Sequence, residues 1–385
     1  MSAMILLPRI MHVGAGASSQ VAAVVKQLRV GRPLIVTDGF MLEHGPVRQV
    51  QAMLAEAGIE SGVFAETVPD PTVACIDQGL RALQAGDHDS LIAVGGGSPM
   101  DTAKAIAILG AHGGEMKDYK VPFDVSEPGL PVIAMPTTAG TGSEVTRAAV
   151  ITDEATDEKM LCMGLGLVPV AALVDFELTM SMPLRLTADT GLDSLTHAIE
   201  AYVSKKRNPF TDEVAKSAMR AIAGNIRTAC REPDNRAARE AMMLGATQGG
   251  MAFSNSSVCL VHGMSRPIGA FFHVPHGLSN AMLLPAVTEF SVPAAEDRYA
   301  DCARAMGVAG EDDSDPVAVE KLLAELRQLN QDLRVPTPKD YGIDKDRYFS
   351  LLPTMAEQAL ASGSPGNNPR VPSVDEIMAL YEQVF

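Results

Sequence analysis

Short aliphatic runs alternate with longer stretches of helical period through the first half of the chain. The runs 33–37, 62–64, 91–94, 132–135 and 172–174 are rich in Val, Ile and Leu and too short for helices, so they predict strands. Helical patterns over 16–29, 45–58, 72–85 and 99–109 lie between the first four. That alternation predicts parallel strands joined by crossover helices. Residues 4–7 predict one more short strand, which would need a sheet edge to pair with. The segment ITDEATDEKM, 151–160, has a polar middle expected at a hairpin tip. Past Pro183 the period is helical almost throughout, over 187–203, 211–230, 235–253, 258–266, 277–291, 293–306, 315–330, 345–361 and 373–384. Ser373 with Glu376 forms a capping-box start for the last of these. The expected fold is α/β plus all-α. A parallel-sheet domain over 1–182 is expected to precede an all-helical domain over 183–385.

Composition narrows the function classes. The 385 residues carry a formal charge of −16, so nucleic acid and anionic membrane are not expected partners. No stretch approaches the length of a membrane span, and the N-terminus lacks the basic and apolar regions of a signal peptide. The five cysteines are scattered and form no CxxC pair. They read as free thiols of a reducing compartment, and the expected location is cytoplasmic.

The chain has eight histidines, and three stand beside an acid at ligand spacing. In GLDSLTHAIEAY, Asp193 and His197 are four apart and share one helical face, with Leu192, Leu195, Ile199 and Val203 marking the core side. In VHGMSRPIGAFFHVPHG, His262 and His276 flank Pro267, Gly269 and Pro275 and so belong to separate short elements. One carboxylate and three imidazoles make a four-ligand N/O set for a divalent transition metal.

A second constellation is LIAVGGGSPMDTAKAIAILG, a buried strand running into Gly95-Gly96-Gly97 and a helix. Ser98 is the expected N-cap, Pro99 the first helical residue, and Asp101 sits three past the cap. Bare glycine backbone at a helix N-terminus suits a pyrophosphate. A third constellation, MPTTAGTGSEVT, places Thr137, Thr138 and Thr141 after another strand's carboxyl end, the edge where open parallel sheets bind ligands. Asp38 ends the strand PLIVTD. An acid there can accept from ribose hydroxyls and would repel a 2′-phosphate, which favours NAD over NADP; the local sequence fits an N-cap or turn residue equally well.

Taken together, the motifs from VGAGA near residue 13 through GGGSPMDTAKA, PTTAGTGSEVT and GLDSLTHAIEAY to VHGMSRPIGAFFHVPHG resemble the iron-dependent, or group III, alcohol dehydrogenase family. Within it they are similar to lactaldehyde reductases and 1,3-propanediol dehydrogenases. The resemblance implies that the parallel-sheet domain over 1–182 is dinucleotide-binding and that the all-helical domain over 183–385 is metal-binding and catalytic, with ligands at Asp193, His197, His262 and His276 for Fe(II) and Zn(II) as the second choice. It implies NAD contacts at Asp38, Gly95, Gly96, Gly97, Ser98, Asp101, Thr137, Thr138, Thr141 and, across the hairpin, Lys159. It implies a small alcohol or aldehyde substrate whose oxygen the metal holds while hydride passes to nicotinamide, in a homodimer or larger homo-oligomer. Arg266 departs from the pattern: it stands four after His262, where many relatives carry a histidine. A fixed cation there suggests an anionic substrate; an arginine paired with a nearby acid to hold the helix is the plainer alternative. His273 remains as a relay candidate. Two rival activities are a hydroxyacid–oxoacid transhydrogenase and a lyase of the related NAD/metal fold, similar to dehydroquinate synthase.

Overall fold

A computed structural model describes residues 2–156 and 158–385. The chain forms two units, Met4–Ser181 and Met182–Phe385, the second also including the first residues of the chain.

The first unit is built on a six-stranded sheet. Its strands are β1 (Ile10–Val13), β2 (Pro33–Val36), β3 (Gly62–Phe64), β4 (Ser90–Gly95), β5 (Val132–Pro136) and β8 (Ala171–Val174), in the order β1-β8-β5-β4-β2-β3, all parallel. The period of two along each strand sorts side chains to two cores. Leu34, Val36, Leu91, Ala93, Val132 and Ala134 face the helices Val73–Ala85 and Gly97–His112. Ile35, Ile92, Val94, Ile133, Met135 and Leu173 face the helices Val21–Leu28 and Val47–Glu56. β6 (Ala148–Asp153) and β7 (Glu158–Met163) pair antiparallel as the expected hairpin, whose tip includes residue 157, outside the described residues.

The sheet departs from the sequence expectation in three places. Residues 4–7 are not a strand; the first strand is Ile10–Val13, beside β8. Its side chains are only partly buried, so its hydrophobic pattern is weak. Gly39–His44 is a short helix that the pattern did not announce, started by the Asp38 side chain accepting from Met41 N at 2.8 Å. The helix after the glycines begins at Gly97, with Gly96 rather than Ser98 at the N-cap, so Ser98 and Pro99 lie inside the first turn.

The second unit contains no strand among its described residues. Its central helix, Leu184–Val203, packs against helices Pro209–Arg231, Arg236–Ser254 and His276–Ser291. It is buried almost all round from Thr187 to Val203, so the expected division into a ligand face and a core face is lost. The helix expected over 258–266 runs as Leu260–Phe272, through Pro267. Among the described residues no helix is long and apolar enough to cross a membrane. All five cysteines are buried and free.

Candidate functional site

The Leu184–Val203 helix carries Asp193 and His197 one turn apart, Leu260–Phe272 carries His262 in its first turn, and His276 opens the helix His276–Ser291. The four residues converge, and their ligand atoms all lie within 4.8 Å of one another. Asp193 Oδ1 is 3.5 Å from His262 Nε2, 3.7 Å from His276 Nε2 and 3.8 Å from His197 Nε2. These separations are long for hydrogen bonds. Ligand atoms about 2.1 Å from an ion at tetrahedral corners stand roughly 3.4 Å apart, so the spacing fits a single small cation. Asp193, His197 and His262 are 3–4% exposed, whereas His276 faces outward. Burial opposes ionisation of Asp193, but the three imidazoles overcome it and hold its pKa well below the usual carboxylate range.

The surroundings of the ligands fit the same assignment. Glu200 lies on the same helix, seven residues after Asp193, and is 3% exposed. It accepts from His262 Nδ1 at 2.6 Å, Val261 N at 2.6 Å and Cys259 N at 2.9 Å. A carboxylate on Nδ1 fixes the tautomer that presents Nε2 as a ligand. Burial would lower the His262 pKa, but Glu200 and Asp193 raise it to about 9. Phe253 stacks on the His197 ring at 4.2 Å, and His197 stacks on His262 at 4.6 Å, which locks both rings. Asn280 Nδ2 lies 2.7 Å from Asp193 Oδ1, 3.1 Å from His262 Nε2 and 3.3 Å from His276 Nε2, while its buried Oδ1 has no partner among the described residues. A donor drawn among four converging ligand atoms marks a place that attracts positive charge. The residues present fit a divalent metal.

In the sheet unit, Asp38, Gly95–Ser98 and Thr137–Thr141 follow the carboxyl ends of β2, β4 and β5, three adjacent parallel strands. The chain leaves β2 for β3 on one side and returns to β4 on the other, so this is the switch point where such sheets take ligands. Thr37 Oγ1 donates to Val94 O at 2.9 Å and Thr137 N to Gly95 O at 2.9 Å, tying the three strand ends together. Gly95 has φ 152°, which side-chain-bearing residues avoid. A Cβ on Gly97 would stand 3.1 Å from Thr141 Cγ2, and one on Gly96 3.4 Å from Thr138, so side chains would fill the cradle. The helix that starts here has no side-chain cap and no acid in its first turn, leaving its N–H groups and positive dipole end for an anion. These residues fit a nucleotide pyrophosphate.

Of the remaining expected residues, Asp101, Lys159 and Asp38 have structural partners of their own. Asp101 accepts from Ser143 Oγ and Val150 N, both at 2.9 Å, and so fastens the threonine-rich loop and β6 to the helix. Lys159 pairs with Asp70 at 3.0 Å, in the loop after β3. Asp38 spends one carboxylate oxygen on Met41 N. His273 is exposed at the left-handed turn, φ 55°, that ends the Leu260–Phe272 helix. Arg266 is partly buried, and among the described residues no hydrogen bond or ion pair engages it.

Three further polar residues were missed in the sequence. Glu200 and Asn280 carry a recoverable signal: each sits on the face of its helix that already holds a ligand, Asn280 four after His276. Lys104 is hidden in DTAKAIAIL. It is fully buried, with Ser143 Oγ, Ala148 O, Thr146 Oγ1 and Thr146 O as acceptors within 3.2 Å. Burial lowers its pKa to about 8 against the pull of Asp101 and Glu144, and burial raises that of Asp101.

Comparison with known proteins agrees with this geometry. Residues 8–176 match the family described as iron-containing alcohol dehydrogenase, and residues 187–385 match the C-terminal part of the Fe-containing alcohol dehydrogenase family. The chain is 37% identical over 380 residues to lactaldehyde reductase of Escherichia coli (strain K12), covering 97% of each chain. It is 35% identical over 380 residues to NAD-dependent methanol dehydrogenase of Bacillus methanolicus, covering 98% of this chain and 99% of that one. Its structure is similar to that of a 1,3-propanediol oxidoreductase, with a TM-score of 0.96 and 36% identity over all of both chains. The relatives named here are dehydrogenases and reductases, which sets aside the lyase and transhydrogenase readings. The chain belongs to the iron-containing alcohol dehydrogenase family.

Proposed function

We propose that this chain is a metal-dependent, NAD-linked alcohol dehydrogenase and aldehyde reductase. The observation that carries the reading is the convergence of Asp193, His197, His262 and His276, backed by Glu200. When bound, the divalent ion supplies Lewis acidity toward an alcohol or carbonyl oxygen. Nicotinamide supplies the hydride chemistry. The chain's own part is to position. Glu200 and the stacked rings of Phe253, His197 and His262 hold the ligand atoms in place, and Asp101 and Lys104 hold the threonine-rich loop against the glycine turn. His276 is the ligand open to the outside, so the substrate oxygen approaches from its side. His273, exposed three residues earlier, is the group we assign to exchange the alcohol proton with solvent.

The finer assignments are also proposals. We take the metal as Fe(II) with Zn(II) as the alternative, since an N/O donor set without thiolate selects weakly between them. We take the nucleotide as NAD, held by the residues after β2, β4 and β5 together with Lys159. We take the assembly as a homodimer or larger and the location as cytoplasmic, the latter supported by five free thiols. The test is metal-stripped protein reloaded with Fe(II), Zn(II), Mn(II) or Ni(II) and assayed on an alcohol and aldehyde panel with NAD(H) and NADP(H). Activity should follow the metal and be lost, together with the bound metal, in His262→Ala. Full turnover without metal, or full metal occupancy in that variant, would overturn the reading.

A further inference from the structure

Arg266 stands one helical turn after His262, on the same face of Leu260–Phe272. Other arginines of this unit hold carboxylates: Arg185 holds Asp189, Arg227 holds Glu325 and Asp332, Arg298 holds Asp212, and Arg370 holds Glu376. Arg266 holds none among the described residues, although burial is enough to draw its pKa below the ordinary arginine value. The one acid whose charge reaches it is Glu200. That carboxylate is already committed to His262, Val261 and Cys259. Nor is Asp189 free, since Arg185 takes it. Asp193 and Glu200 together balance one divalent cation, which leaves the Arg266 guanidinium as the uncompensated charge near the ligands. A half-buried guanidinium without a protein acceptor is open to a ligand, and its planar fork matches carboxylate or sulfonate oxygens.

We infer that Arg266 receives the anionic end of the substrate, and that the preferred substrates are short aldehydes and alcohols bearing a terminal carboxylate or sulfonate. The inference rests on the metal-site reading above and narrows it. Four residues along a helix span about 6 Å, so the anionic group should lie roughly two to four carbons from the reacting carbon. The carboxylate and the sulfonate present the same oxygens to the fork, and separate arms of the test distinguish them.

The experiment compares matched pairs on the metal-loaded enzyme: 4-oxobutanoate against butanal, and 2-oxoethanesulfonate against propanal. In the wild type, kcat/KM should favour the anionic member of at least one pair by tenfold or more. In Arg266→Gln that ratio should fall by about one to two orders of magnitude, the loss of one charge-assisted contact. Arg266→Lys should retain part of it, because the charge stays and the fork goes. A purely structural arginine would lower both members alike and leave the ratio unchanged, which overturns the inference. Calorimetry supplies a readout apart from turnover. Ethanesulfonate, a poor metal ligand, should bind the wild type and lose at least tenfold in affinity in Arg266→Gln; equal affinity overturns the inference. Reduction of butanal in preference to 4-oxobutanoate, and of propanal in preference to 2-oxoethanesulfonate, overturns the inference and leaves the dehydrogenase reading standing. Reduction of no aldehyde with any metal overturns both.

Discussion

Glu200→Gln isolates the carboxylate behind the proposed metal ligands. The change keeps shape and volume but turns one acceptor oxygen into an NH2 group. Oε2 of Glu200 serves Cys259 N and His262 Nδ1, and Oε1 serves Val261 N. The better rotamer of glutamine keeps its carbonyl oxygen on the first two donors and sets its NH2 against Val261 N–H, 2.6 Å away in the wild type. At a site 3% exposed, no water relieves that meeting of donors. One buried, unsatisfied donor costs about 1–3 kcal/mol, which should appear as a lower urea midpoint of the metal-free protein at unchanged slope. The His262 ring meanwhile exchanges a carboxylate for a neutral amide oxygen. Loss of such a partner typically costs roughly 10–100-fold in metal affinity. Competition with a chromophoric chelator for Zn(II) or Co(II) measures that loss directly. A folded Glu200→Gln protein with metal affinity within twofold of wild type would refute the argument that Glu200 orients His262.

Other perturbations test the sheet unit. Gly97→Val would bring a branched side chain into a space where even a Cβ lies 3.1 Å from Thr141 Cγ2; NADH affinity by fluorescence titration should fall at least about tenfold with metal content intact, and unchanged affinity would remove the glycine turn from the nucleotide site. Asp38→Gly should shift the kcat/KM preference from NAD toward NADP and weaken the short helix that Asp38 caps; a wild type that prefers NADP(H) would show that Asp38 is not the discriminator. Lys104 titrates at about 8 when folded and near 10.5 when unfolded, so between those values the unfolded chain binds the extra proton and the wild type gains stability as pH rises. Urea unfolding from pH 7 to 10 should show that gain relative to Lys104→Met, and parallel profiles would contradict the burial of a charged lysine.

The sheet was legible because its central strands are short and fully buried. The run 62–64 is a strand with the bounds read from sequence, and the runs at 33, 91, 132 and 172 differ from the observed strands by one or two residues. The edges were less legible. Ile10–Val13 pairs with β8, 161 residues later in the chain, and only that pairing makes it a strand. The helix after the glycines starts at Gly97, with extended Gly96 (φ −81°, ψ −154°) as its N-cap, whereas a good N-cap residue such as Ser98 advertises a later start. Pro267 looked like a boundary, yet the Leu260–Phe272 helix absorbs it.

The four converging residues were readable because their chemistry is local: a carboxylate and an imidazole at i and i+4, and two histidines among prolines and glycines. The buried polar groups that support the two candidate sites were not read, and the reason is physical. Glu200 matters through donors 59 to 62 residues away, Asn280 through Asp193, 87 residues away, and Lys104 through a loop about 40 residues on. Each is polar and buried, and burial of such a group is tolerable only when remote donors or acceptors meet it. A one-dimensional pattern therefore shows them as flaws in an apolar stretch. Arg266 completes the contrast. It too is a polar group in an apolar helix, but the described residues offer it no partner, so the fold alone does not explain its presence. A buried polar residue whose partners are found supports the site, whereas a half-buried one with no partner among the described residues points to a ligand.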